Sequence, residues 1–344
     1  MIELLKRYKF IIIFLCIPYL FLLYILISPV AYEVDLPGDI RPVEDVIEID
    51  NVKNEKGSFN TTFVISYRNT TIFQKIFCQN YYEAKVYEIN KDYLYITNEW
   101  AYKQGEVSKE SSIYSSIIAA YSLAMKYDSE IKLDYNIIGR YVYDVSPNIK
   151  SSDNEIKVGD VVKGETMDLI NDNVSNYLNG NKDYIEIYRK IDGKYQLKKI
   201  SPTILTIDGE KKLGISLYWN CYQINNIFPK YKIKNTNIGG NSGGLMQALS
   251  IFNSLTDIDY TFGLTIAGTG AIDALGNVSE IGAIEQKIYT AQRNNCKIFF
   301  VPKSQYDEAL KAYNKIKKPK YKLIAVSTLN DAIDYLLSLE GGNK

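Results

Sequence analysis

The amino-acid sequence predicts an α/β protein whose C-terminal part, residues 201–340, alternates strands with helices. Apolar residues at helical spacing follow the glycine-rich stretch 239–244 and recur at 284–293 and 329–339, with strand-like runs such as KIFFVP between them. Residues 131–200 contain shorter pieces, several with the period-two alternation of half-buried strands. A smaller α+β region is therefore expected before the α/β domain, and one apolar helix before that.

The N-terminal helix is predicted from residues 10–30, an apolar run without a charge. A helix of this length is about as long as a bilayer core is thick, roughly 30 Å. Lys6, Arg7 and Lys9 precede it, so the positive-inside rule places residues 1–9 in the cytoplasm and the rest of the chain outside the plasma membrane. The run exceeds the core of a signal peptide and no small-x-small cleavage site follows it, but a cleaved signal sequence and a buried core helix remain alternatives.

The region after this helix carries several prolines, Gly38 and many acidic residues, a composition typical of linkers. Residues 31–58 are therefore expected to be a juxtamembrane linker. Residues 59–200 are expected to form an extracytoplasmic region, with an early strand at 61–66 and a long helix at 111–128.

Composition excludes several function classes. The 40 basic and 40 acidic residues of this 344-residue chain cancel, so no net field favours a nucleic-acid partner. The four cysteines are scattered and the chain has no histidine, which argues against an ordinary zinc site and against a disulfide framework. No metal and no cofactor are expected.

Ser242 lies in NIGGNSGGLM, where four glycines precede an apolar run. One interpretation is a helix N-cap, a common role for serine at this place. The other is a nucleophile, because a glycine-rich loop before a helix places backbone N–H groups where they can hold an oxyanion. The stretch is neither a Walker A loop nor a GxSxG elbow.

Lys287 occupies a position of the helix IGAIEQKIYTAQRNN where the apolar stripe needs an apolar residue, between Ile284 and Ala291. A lysine at such a place often covers the core edge with its stem and keeps its ammonium in water. Alternatively, burial lowers its pKa toward neutrality, and a neutral amine can take the proton from a serine hydroxyl. Without histidine, a Ser–Lys dyad is one of the few serine dyads that this chain can build.

Together these stretches resemble the proteolytic domain of the Lon family over residues 201–338. The motifs are GGNSGGLMQALSIFN and TIAGTGAIDALGNVSEIGAIEQKIYTAQRNNCKIFFVP, in that order. The resemblance implies that Ser242 is the nucleophile, that Lys287 is the general base, and that Thr269 hydrogen-bonds the lysine and orients it. Backbone N–H groups near Gly240 to Ser242 would then hold the oxyanion.

Three positions depart from the family pattern. Asn241 stands where proline is usual, Gly243 where alanine is usual, and Ala283 where the second glycine of IGG is usual. None of these changes removes a functional group, but Asn241 is expected to affect the loop.

Residues 130–200 resemble a PDZ domain, with IKVGDVVKGETM followed by a helix and a strand; a generic small α/β insertion is the alternative. The whole chain is similar to membrane-anchored PDZ–Lon proteases. This resemblance implies an ATP-independent serine endopeptidase that cleaves exported peptides or membrane-proximal proteins. A catalytically inactive scaffold that binds peptides or proteins at the outer face of the membrane is the alternative. A signal-peptidase-like Ser–Lys enzyme fits less well because its fold is mostly β. Homo-oligomerisation stays open.

Overall fold

The structure is a computed structural model that describes residues 7–50, 56–149, 152–234, 236 and 238–340. Its helices, numbered in chain order, are α1 (Lys9–Ile27), α2 (Ile72–Gln79), α3 (Asn98–Ala124), α4 (Met167–Leu178), α5 (Gly244–Leu255), α6 (Ile284–Arg293), α7 (Tyr306–Asn314) and α8 (Leu329–Glu340). Its strands are β1 (Tyr32–Pro42), β2 (Ile47–Ile49), β3 (Ser58–Arg68), β4 (Lys85–Glu88), β5 (Lys132–Val145), β6 (Val161–Lys163), β7 (Ile185–Ile191), β8 (Lys194–Ile200), β9 (Leu205–Ile207), β10 (Glu210–Lys212), β11 (Ile215–Phe228), β12 (Tyr231–Ile233), β13 (Thr265–Gly268), β14 (Ala271–Ile272), β15 (Val278–Ser279), β16 (Ile298–Pro302) and β17 (Lys322–Val326).

The larger domain is built on a six-stranded mixed sheet in the order β17-β16-β13-β3-β1-β4. Strands β17, β16, β13 and β3 run parallel, whereas β1 is antiparallel to both β3 and β4. Helices α3, α5 and α8 contribute to the core on one face, and α6 and α7 to the core on the other. The fully buried β16 serves both cores, because Phe300 points to the first and Phe299 to the second. The predicted α/β class is confirmed.

The prediction of a linker over residues 31–58 is wrong. Residues 32–42 form β1 inside the large sheet, and β2 pairs with β12. Pro37 and Gly38 suggested a linker, but they lie where the register of β1 against β3 shifts, a place where a strand tolerates these residues. The chain therefore passes from α1 into the sheet without a spacer.

The predicted boundary at residue 201 is also wrong. A second sheet, in the order β11-β5-β6-β7-β8, packs with α4 around its own core and extends to Phe228. The smaller α+β unit therefore covers residues 132–228. It interrupts the larger domain, which consists of the described residues within 32–124 and 229–340. The long helix α3 begins at Asn98, earlier than predicted, because Thr97 caps it by accepting from the backbone N–H of Trp100.

Helix α1 ends at Ile27, three residues before the predicted end. Its described residues are almost all exposed and apolar, and its length fits either a membrane span or a signal sequence. Residues 1–6 of the predicted cytoplasmic segment, Lys6 among them, lie outside the described residues.

We predict that a fragment of residues 201–340, the domain expected from the sequence, does not fold cooperatively. It lacks β3, which pairs with β13 in the middle of the sheet, and α3, which covers one face. Thermal unfolding followed by circular dichroism measures this, with residues 31–340 as the control. A cooperative transition of the short fragment at the temperature of the control would contradict the discontinuous domain.

Candidate active site

The loop that carries Ser242 is fixed by backbone contact with α3. The N–H of Gly240 donates to the carbonyl of Gly105 over 2.8 Å, and Gly240 adopts a φ of +96° that favours glycine. A Cβ on Gly239 would lie 3.1 Å from the backbone of Gly105. The glycines therefore allow two backbones to meet. In this conformation the N–H of Gly240 is already used, which removes it from the expected oxyanion donors.

Ser242 does not cap α5. The N-cap residue is Gly243 and no side chain provides a cap hydrogen bond, so the capping interpretation is wrong for this structure. Gly243, where the sequence resemblance led us to expect alanine, has a local explanation. A Cβ at this position would approach Cγ2 of Thr61 on β3 to 2.9 Å.

Serine hydroxyls of α3 donate hydrogen bonds to backbone carbonyls at the start of α5, contacts that the sequence analysis did not include. The hydroxyl of Ser112 donates to the carbonyl of Asn241 over 3.1 Å, and that of Ser116 to the carbonyl of Gly244 over 2.9 Å. Asn241 thus takes part through its backbone, which any residue supplies. The signal was present as buried serines at i and i+4 in SKESSIYSS, but the same pattern also fits a plain helix face.

Lys287 on α6 is 3% exposed, and burial lowers its pKa to about 7. The snorkelling interpretation is therefore wrong here. Its Nζ donates to Oγ1 of Thr269 over 3.2 Å. The hydroxyl of Thr269 in turn donates to the carbonyl of Ser242 over 3.1 Å, and the N–H of Gly270 donates to the same carbonyl over 2.9 Å. Thr269 thus links the lysine to the backbone of the serine.

Ser242 and Lys287 line one cavity of about 450 Å³. Residues of β3 form one wall, and the glycine-rich loop forms another: Thr61, Thr62, Phe63, Val64, Ile65 and Ser66, and Ile238, Gly239, Gly240 and Gly243. Within the described part of the chain, no hydrogen bond joins the hydroxyl of Ser242 to Nζ of Lys287 directly. The three residues predicted from the sequence therefore converge, with Thr269 as the connecting group.

Asp35 of β1 adds a buried negative charge that the sequence analysis assigned to the linker. Its carboxylate is 5% exposed and accepts hydrogen bonds from the hydroxyls of Ser66 and, over 3.2 Å, Tyr87. Its charge favours the ammonium form of Lys287 and raises the pKa of this lysine, against the larger lowering by burial. The alternation in YEVDL was compatible with a strand, but only its pairing with β3 places Asp35 near the site.

Comparisons with known proteins find a related family over the C-terminal part of the chain. Residues 229–339 match the family described as the Lon protease (S16) C-terminal proteolytic domain. This segment, about a third of the chain, is similar to a Lon proteolytic domain. The Lon protease of Campylobacter concisus (strain 13826) is 31% identical over 144 residues, which cover 42% of this chain and 17% of the relative. The Lon protease of Campylobacter jejuni is 28% identical over 127 residues, or 37% and 16%.

A third relative, the Lon protease of Neorickettsia sennetsu, is 31% identical over 103 residues, which cover 30% of this chain and 12% of that protein. The matched segments thus span no more than about a sixth of the relatives. They support a serine-type peptidase. The matched family region begins at residue 229, where the smaller α+β unit ends, and does not include β1, β3 or α3.

Ala283 precedes α6 with a φ of +55°, in the left-handed region that favours glycine. Glycine, which the sequence resemblance led us to expect at this position, would adopt this conformation without strain. We predict that Ala283→Gly raises the free energy of unfolding by about 0.5–1 kcal/mol, because relief of a strain of about 1–2 kcal/mol exceeds the entropy that glycine adds to the unfolded chain. Chemical denaturation measures the change. Ala291→Gly, inside the same helix, is the control and should destabilise; destabilisation by both would contradict the strain.

We predict that Asp35→Asn shifts the pH dependence of peptide hydrolysis toward acid. If Lys287 acts as a neutral base, kcat/KM rises as pH passes through its pKa of about 7. Removing the negative charge destabilises the ammonium form of Lys287, so the pKa of this lysine falls and kcat/KM begins to rise at lower pH. The pH profile of kcat/KM measures it, with Glu33→Gln on the same strand as the control. An unchanged or alkaline-shifted profile would show that Asp35 does not act on Lys287.

Proposed function

We propose that the protein is a serine endopeptidase in which Ser242 is the nucleophile and Lys287 the general base. The observation that carries the proposal is a lysine buried at the wall of a cavity that it shares with Ser242, with a pKa near neutrality. A fully buried amine of this kind is unfavourable for stability and has an evident use as a base. Thr269 would hold the amine in place.

The chemistry follows from these groups. Neutral Lys287 takes the proton of the Ser242 hydroxyl while Oγ attacks the peptide carbonyl, giving a tetrahedral oxyanion. Collapse breaks the C–N bond, and the ammonium of Lys287 gives its proton to the leaving amine. Lys287, neutral again, then deprotonates a water that attacks the acyl-enzyme. The bond between the acyl carbon and Oγ breaks, and the ammonium of Lys287 returns its proton to Oγ of Ser242. Hydrolysis is proposed to be independent of ATP, as the resemblance to PDZ–Lon proteases implies.

The oxyanion is proposed to bind at the amino end of α5, where unpaired N–H groups and the helix dipole favour negative charge. The backbone N–H groups of Ser242 and Asn241 make no hydrogen bond within the described part of the chain. Gly240 would join them only after it leaves the carbonyl of Gly105. Substrate binding would have to supply the energy for that rearrangement.

The membrane location is proposed from α1. An exposed helix of 19 residues with basic residues before it fits a single-pass anchor with the catalytic domain outside the cell. The residues after it are part of the fold, since the N–H of Val30 donates to the carbonyl of Thr70 over 2.8 Å. A signal peptidase needs an accessible extended segment, so this arrangement favours a retained helix. Exported or membrane-proximal polypeptides are then the proposed substrates.

A PDZ-like role in substrate recruitment is proposed for the smaller α+β unit. A second cavity, of about 620 Å³, lies between α4 and the start of β11. It is lined by apolar side chains of α4, such as Val174 and Leu178, and by the backbone of Gly214. Strand β11 lies at the edge of its sheet, so a peptide could pair with it there.

The dyad is tested with Ser242→Ala and Lys287→Met in the full-length protein, with a fluorogenic polypeptide as substrate. We predict that each change lowers kcat at least about 10³-fold, as expected for loss of a nucleophile or its base. Lys287→Met should also raise the melting temperature at pH 7, because a pKa lowered from 10.5 to about 7 corresponds to a burial penalty of up to about 5 kcal/mol. Below pH 7 the penalty is largest, and it falls as pH rises toward 10.5.

Ser254→Ala, on the helix α5 that follows the Ser242 loop but outside the cavity, and Lys297→Met, on the surface, are the matched controls. Full activity in both dyad variants would contradict the proposal. Failure of a fluorophosphonate to modify Ser242 in the wild-type protein, with no hydrolysis of any tested polypeptide, would instead favour the inactive scaffold.

A further inference from the structure

Helix α2 presents an apolar face that the larger domain does not cover. Phe73, Ile76 and Phe77, at i, i+3 and i+4, are 45%, 52% and 64% exposed. The rings of Phe73 and Phe77 stack with centroids 6.0 Å apart. On the other side of the helix Cys78 is buried. The helix is therefore amphipathic with its apolar side outward, opposite to what contact with the protein core alone would produce.

This face is tied to the end of α1. The N–H of Ile72 donates to the carbonyl of Ser28 over 3.1 Å, and Pro29 forms a bridge with Thr71. Helix α2 therefore begins where the candidate membrane helix ends. The ammonium of Lys75 lies 3.6 Å from the ring centre of Tyr32 in β1, which fixes the other side of α2 to the sheet.

Further exposed aromatic and apolar residues lie at the same end of the sheet. Tyr67 precedes Arg68, which pairs with Glu33 at the start of β1. The guanidinium of Arg68 donates to the carbonyl of Tyr93 over 2.6 Å, so the turn with Tyr93 and Leu94 is at this end as well. These three side chains are about half exposed: Tyr67 48%, Tyr93 51% and Leu94 48%. Tyrosine at such a boundary suits the interface between membrane and water.

We propose that the apolar face of α2, Phe73, Ile76 and Phe77, inserts into the headgroup region of the bilayer that α1 crosses. The inference rests on the proposed anchoring by α1. A lipid surface fits better than a protein partner, because three side chains present far less than the roughly 800 Å² per partner of a stable protein interface. The hydrogen bond from Ile72, at the start of α2, to Ser28, at the end of α1, also places the face at the depth where α1 leaves the hydrocarbon core.

This orientation limits the substrates that the cavity can reach. Residues Thr61–Ser66 of the cavity wall precede Thr70 by four to nine residues, and Thr70 is bonded to the end of the anchor. At about 3.4 Å per residue of strand, the cavity lies within roughly 15–30 Å of the membrane-facing end. At the same rise per residue, the substrates inferred are extended segments that begin about four to nine residues from a membrane anchor.

The insertion is tested with an environment-sensitive nitrobenzoxadiazole label on Phe77→Cys, in full-length protein in which Cys16, the exposed native cysteine, is serine. The protein is reconstituted in vesicles of phosphatidylcholine and phosphatidylglycerol. Gln79→Cys is the matched control, because Gln79 is exposed on the same helix outside the apolar face. We expect a blue-shifted emission, quenched several-fold more by nitroxide-bearing lipids at position 77 than at position 79. Equal quenching at both positions would overturn the proposal. A blue shift at position 77 that increases with protein concentration, without quenching by nitroxide-bearing lipids, would also overturn it, because the label would then contact a second copy of the protein.

Alkaline carbonate extraction of the same vesicles separates this inference from the anchoring on which it rests. If carbonate extracts the protein, both the anchoring by α1 and the insertion of α2 are overturned. If the protein stays with the vesicles but the label at position 77 has the emission of a label in water, only the insertion of α2 is overturned. As a second readout, Phe73→Ser with Phe77→Ser should leave hydrolysis of a soluble peptide unchanged and slow cleavage of a lipid-tethered peptide several-fold. If the two substitutions slow cleavage of both peptides equally, or do not slow cleavage of the tethered peptide, the inferred distance between the cavity and the membrane is contradicted.

Discussion

The amine of Lys287 can serve as a base near neutral pH only if it is kept from water. In the larger domain, α6 and the strands packed against it bury this amine. Burial lowers its pKa to about 7, while the charge of Asp35 pulls the other way. Thr269 accepts a hydrogen bond from the amine and donates one to the backbone of Ser242. The position of the base is therefore connected to that of the nucleophile through one hydroxyl.

The helix and strands that enclose this site come from distant parts of the chain. Strand β3 and helix α3 precede the smaller α+β unit, whereas Ser242, Thr269 and Lys287 follow it. Close approach of α3 to the serine loop requires small residues on both sides, which Gly105, Gly239 and the serines of α3 provide. Folding of the site thus depends on the completed sheet, and the smaller unit joins the larger domain at two points of the chain.

The same sheet fixes the distance between the site and the apolar N-terminal helix. Strand β1 begins five residues after α1 ends, and the backbone bonds from Ser28 and Val30 to the start of α2 leave no spacer. A domain attached in this way has a restricted orientation at a membrane, unlike one on a long linker. In such an orientation the exposed apolar face of α2 would lie against the membrane.

The sequence by itself determined the α/β class and the bounds of α6 and α8 to within a residue, and it singled out Ser242, Lys287 and, through the family resemblance, Thr269 as candidate site residues. These are local or motif-based features, since helical periodicity and a lysine on an apolar face are visible without knowing their partners. Only the tertiary structure decided that residues 32–42 are a strand, that the larger domain is interrupted, and that Asp35 faces the site. Strand pairing between residues far apart in the chain leaves no local signal, and prolines at a register shift read as a linker until the partner strand is known.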